Sequence, residues 1–165
     1  MFHFAVYNNK TRKRTLRIYR SIVIIAGLTG SLVVTAATSI NEIHSCLALT
    51  NFVDSKISGA SNTYSEEEMA LIHSGLRRYG NYLDHDVIDP KLLKLYGGNV
   101  AQAKLMKKLF SRQQRSFTRY LNDRYSEDKI PTDYVIAIKE CSIKTRSQGD
   151  VALALKQAID TMAKH

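Results

Sequence analysis

The chain has 165 residues, 44 % hydrophobic and 24 % charged, proportions of an ordinary globular protein that exclude a disordered or collagen-like chain. Its net charge is +9, but six of its 24 basic residues (Lys10, Arg12, Lys13, Arg14, Arg17 and Arg20) precede the first acid, Glu42, leaving 18 basic against 15 acidic residues in the remainder. The basic balance therefore belongs mainly to the N-terminus and does not mark the whole chain as a nucleic-acid binder.

Residues 1–20 form a cationic segment without acids, and residues 21–41 come next without any charge, with Ile22 to Val34 as the most apolar part. About 20 helical residues cross a hydrocarbon core of ~30 Å, so 21–41 is expected to be a signal peptide or a retained signal-anchor helix. The cations keep residues 1–20 in the cytoplasm and send the C-terminal part of the chain outside. Val34-Thr35-Ala36 supplies small residues for a cleavage site near Ala36, whereas the long cationic lead favours retention. A mitochondrial presequence with an inner-membrane anchor is the eukaryotic alternative.

Residues 42–64 read as a short helix or extended lead (Cys46, Leu47, Leu49, Phe52, Val53) running into a linker, with 58–63 small and polar. The helical domain is expected over 65–165. Ser65 and Glu68 form a capping box, and Met69, Ile72, Leu76, Tyr79 and Leu83 step by three and four residues. Residues 81–89 break the pattern. Asp89-Pro90 restarts it as N-cap and first helical residue, and Gly97-Gly98 ends that short helix.

The longest helix is expected from about Asn99 to Tyr125, with Val100, Ala103, Met106, Leu109, Phe110, Phe117, Tyr120 and Leu121 as its apolar face. A loop covers 126–130. Tyr134 to Ile138 reads as strand or buried helix, with Lys139-Glu140-Cys141 favouring helix, and a terminal helix covers about 149–164. No one stripe can be buried alone, so the fold class is all-α: a signal or anchor helix, then a small irregular bundle of four or five helices.

The most pronounced surface feature is the row Lys104, Lys108, Arg112, Arg115 and Arg119, spaced by four, four, three and four residues and thus on one side of a helix, with Lys107 and Arg124 added to it. Such a row suits an acidic protein face, anionic lipid heads or phosphates, and outside the membrane nucleic acid falls behind acidic protein, lipid heads or wall polymer. The bland alternative is a solvated face opposite the core. Cys46 and Cys141 either pair in an oxidising compartment or remain buried thiols, and their spacing is not that of a zinc site.

Asp84, His85, Asp86 and Asp89 bring carboxylates together but lack the oxygen count and glycine turn of a calcium loop, so no metal is expected. His44, His73 and His85 stand in no HExxH relation, and Ser74-Gly75 follows no strand, so neither zinc hydrolysis nor acyl transfer is signalled. No cofactor is expected.

The layout of targeting segment, compact helical domain and one cysteine pair resembles that of small envelope proteins of plasmids and phages, among them plasmid exclusion factors and antiholins, and of periplasmic immunity proteins. The resemblance is one of architecture and transfers no residues. It implies a non-enzymatic accessory protein of the bacterial inner membrane or periplasm that binds another envelope protein. The alternatives are an exported cell-wall or envelope hydrolase and a mitochondrial inner-membrane subunit.

Overall fold

The computed structural model describes residues 38–125 and 132–165. The expected cationic segment 1–20, most of the stretch 21–41 and the loop 126–130 lie outside the described residues. Within them the chain is all-helical. It runs as α1 (Ile40–Ile57), α2 (Glu66–Asn81), a π-helical segment (Tyr82–Ile88), α3 (Asp89–Leu95), α4 (Val100–Arg124), α5 (Thr132–Thr145) and α6 (Gly149–Met162). No described helix is long and apolar enough to cross a membrane.

α1 forms where the sequence suggested at most a short helix leading into a linker. Its N-cap is Ser39, whose hydroxyl accepts from the Glu42 backbone N–H while the Glu42 carboxylate accepts from the Ser39 N–H at 2.8 Å. This capping box draws Ser39, Ile40 and Asn41 out of the charge-free stretch and into the folded unit. Ile43, Leu47, Phe52, Val53 and Ile57 are all buried, together with Cys46, Ala48 and Thr50. These positions surround the helix rather than lining one side, because α1 packs against α2, α4, α5 and the π-helical segment. A helix apolar on most of its circumference is a core helix.

α2 starts at the predicted capping box of Ser65 and Glu68, and Ile72, Leu76 and Tyr79 are fully buried along its stripe. It lies between α1 and α6, and its pairing with α6 is the most extensive in the molecule. Gly75 permits this. A methyl group there would stand 2.5 Å from the Ala154 carbonyl oxygen and 2.6 Å from the Ala158 Cβ.

The expected break over 81–89 is a continuation. Tyr82 to Ile88 is π-helical, and the Asp89 N–H donates to the Asp84 carbonyl, five residues back. Leu83 and Ile88 stay fully buried. Asp89 is consequently the first residue of α3 and not its cap, a role that falls to Ile88 in helical conformation. Gly97 and Gly98 end α3 with positive φ angles of 59° and 85°. Their N–H groups donate to Lys94 (3.2 Å) and Leu93 (2.8 Å), the Schellman pattern.

α5 resolves the Tyr134–Ile138 ambiguity in favour of helix, with Val135 and Ile138 buried. Its end is fastened to α2 and the π-helical segment. Tyr79 Oη and Thr145 Oγ1 are 3.0 Å apart, and Tyr82 Oη donates to the Thr145 carbonyl at 2.9 Å. Burial, opposed only in part by the Thr145 hydroxyl, pushes the Tyr79 hydroxyl up to about 12, so it stays protonated. Cys46 of α1 and Cys141 of α5 form a disulfide with Cα atoms 5.7 Å apart.

Candidate functional site

α4 is 25 residues long, yet only Ala103 and Leu121 are buried on it. Asn99 caps it, its side-chain oxygen accepting from the Gln102 N–H at 3.0 Å. The helix is held by its inward edge alone. Met106 and Phe110 are half-buried against the core, and the Phe110 ring stacks on the His44 imidazole of α1 with centroids 4.3 Å apart. The remaining residues predicted for the apolar face divide differently. Val100, Leu109, Phe117 and Tyr120 are exposed.

Lys104, Lys108, Arg112, Arg115 and Arg119 are all exposed on α4. Among the described residues no ion pair or side-chain hydrogen bond engages any of the five. An arc of about 80° on the helix circumference holds all of them at 100° per residue. Five like charges on one such arc repel one another, and no folding contact offsets this.

Lys107 does not join that row. It sits between the row and the core, half-buried, with its ammonium 3.0 Å from an Asp84 carboxylate oxygen and 2.7 Å from one of Asp89. Burial opposes its charge, but the hydrogen bonds to Asp89 and Asp84 prevail and hold its pKa above the ordinary lysine value. The supposed metal cluster is thus a pair of carboxylates already occupied by an ammonium, brought together by the five-residue π-helical step. His85 lies at the outer side of the same pair, 3.4 Å from Asp89 and 3.8 Å from Asp84. Arg124, the other cation added to the row, donates instead to Tyr120 Oη at 3.0 Å. Among the described residues no three His, Cys, Asp or Glu side chains converge as a metal site.

Two histidines that sequence reasoning left without a role are structural. His73 of α2 lies 2.5 Å from the Asp54 carboxylate of α1, which also accepts from Arg77 at 3.3 Å. His44 is only 7 % exposed, and neither of its ring nitrogens has a hydrogen-bond partner among the described residues. Its burial lowers the pKa below 6.5, Asp84 opposing and Lys107 reinforcing the shift. The signal for His44 in the sequence was its position one residue beyond Ile43 inside an apolar run, which the linker reading concealed.

Grooves of about 450 and 430 Å³ run along the seam of α5 and α6, lined in part by Val135, Ile136, Lys139 and Ile159. A smaller one of about 210 Å³ lies between α1 and α4, beside His44, Gln113, Gln114 and Phe117.

Fold and site together describe an all-α bundle with one disulfide and one cationic helix carried on its outside. The chain matches no family model, no curated protein and no solved structure.

Proposed function

We infer that this is a bacterial envelope protein held in, or exported through, the inner membrane by residues 1–41, whose helical domain lies outside and binds another envelope protein without catalysing a reaction. The cationic row on α4 is the binding surface. A plasmid, phage or secretion-related process, such as plasmid exclusion, lysis control or immunity, is the setting that this layout suits. The observation carrying the reading is that Lys104, Lys108, Arg112, Arg115 and Arg119 are exposed and unpaired among the described residues. Arginine adds bidentate recognition of carboxylates to the plain charge of lysine. The disulfide suits an oxidising compartment and supports the exported side of the reading.

Cell fractionation with N-terminal sequencing of the mature protein tests the compartment. The reading expects the chain at the inner membrane, or in the periplasm with its N-terminus near residue 37. Recovery of the full-length chain in the cytosol overturns it. The Arg112→Glu/Arg115→Glu variant tests the surface: it is expected to lose its envelope partner while its circular dichroism stays unchanged. A zymogram in which the purified protein clears cell-wall material would replace the binding role with a hydrolytic one.

A further inference from the structure

The cationic row is one half of the outward surface of α4. Leu105 (58 % exposed), Leu109 (45 %), Phe117 (42 %) and Tyr120 (55 %) form the other half. At 100° per residue Leu105, Leu109 and Tyr120 lie beside the cations across an arc of about 60°, with the exposed Ser116 among them, while Phe117 lies on the far side towards α1. The outer face of α4 is therefore itself amphipathic, with a cationic ridge and an apolar ridge running side by side. From Lys104 to Tyr120 the two extend over roughly 24 Å.

Resting on the binding reading above, we propose that this double ridge recognises an acidic amphipathic helix of a partner protein, laid along α4. The partner's apolar stripe covers Leu105, Leu109 and Tyr120, and a row of carboxylates beside that stripe meets Lys108, Arg112, Arg115 and Arg119. Charge complementarity selects this occupant over the others available. A second copy would set five cations against five cations. Residues 1–37 carry six cations and no acid, which is the wrong charge for an occupant of this face. A bilayer surface is planar and takes up an apolar ridge best when cations flank it on both sides. Here the row stands on one side of the apolar residues, and across them the one cation of α4 is Arg124, held on Tyr120 Oη. Arginine, tyrosine and phenylalanine are also the side chains that protein interfaces favour. An apolar helix face docking on a partner is a recurrent mode of recognition.

The test uses the full chain in its own cell, with a photo-crosslinking residue placed at Leu109 in one strain and at Tyr120 in another, and mass spectrometry of the adducts. The expected result is one partner segment reached from both positions, with Asp or Glu at helical spacings of three and four beside an apolar stripe. Arg112→Glu/Arg115→Glu in the Leu109 strain should lower adduct yield by about thirty-fold, as loss of a binding hot spot does. Leu105→Ser in the Tyr120 strain, which keeps every charge, should also lower it. Adducts with lipid, with a second copy or with this chain's own residues overturn the proposal, as does a partner segment without acidic spacing or a complete lack of adducts. Charge-dependent capture of an acidic partner that does not need Leu105 overturns the double ridge and leaves the simpler binding reading standing.

Discussion

Gly75→Ala sets two effects of opposite sign against each other. In an exposed helix interior, alanine for glycine stabilises by about 1 kcal/mol, because glycine loses more backbone freedom on folding. At Gly75 the added Cβ would stand 2.5 Å from the Ala154 oxygen and 2.6 Å from the Ala158 Cβ. Neither atom lies at the end of a flexible side chain, so relief requires α6 to withdraw by roughly 1 Å to restore ordinary contact distances. Overpacking of that kind costs about 1–3 kcal/mol. The pairing of α2 with α6 is the most extensive in the fold and leaves little slack. Set against that gain, the net expectation is a loss of up to about 2 kcal/mol, read in thermal unfolding as a fall of up to about 10 °C. Gly80→Ala is the matched control. A Cβ there meets Asn51 Oδ1 at 3.6 Å and Leu47 Cδ1 at 3.7 Å, which is ordinary contact. It should gain about 0.4–1 kcal/mol. Equal gains at Gly75 and Gly80 would refute the close crossing of α2 and α6.

The disulfide joins residues separated by 95 positions. The chain-entropy account assigns such a loop about 4–5 kcal/mol, so Cys46→Ala/Cys141→Ala should shift the urea midpoint by a large part of total stability. A shift below about 1 kcal/mol would show the reduced chain to be equally constrained. His44 predicts a pH dependence. Burial keeps its folded pKa below 6.5, so the unfolded chain binds a proton first as pH falls. The resulting stability is fully present above about pH 6.5 and is lost progressively as pH drops towards the folded pKa. His44→Phe keeps the ring stack on Phe110 and removes the titration, so its denaturation midpoint should vary less between about pH 7.5 and 5; an unchanged slope would refute the assignment.

Legibility in the sequence tracked locality. The Ser65–Glu68 box, the α2 stripe, the Gly97-Gly98 stop and the span of α4 depend on residues within one or two turns, and each lies where its chemistry implied. α1 was read as no more than a short helix or extended lead because nothing in 42–57 alternates between an apolar and a polar side. A helix surrounded by α2, α4, α5 and the π-helical segment has no solvent side to mark its period. The π-helical segment was read as a break because its fully buried residues, Leu83 and Ile88, fall five apart, a step foreign to an α-helical stripe. The exposed cationic row was visible as a period. Its separation from Lys107 was not, since only the fold brings Asp84 and Asp89 to that one ammonium.

That separation says why the outer face of α4 can be altered without loss of the fold. The groups that fasten α4 are Ala103, Lys107, Phe110 and Leu121, and they point to α1, to the core or to the Asp84–Asp89 pair. The groups that repel one another, Lys104 to Arg119, make no described contact with any of them. Like-charge repulsion along this row lowers stability by a few tenths of a kcal/mol per pair, about as much as one exposed ion pair on a helix contributes. Reducing the charge of this row should therefore stabilise the isolated protein slightly; on the binding reading it also weakens partner capture, which a merely solvating face would not show.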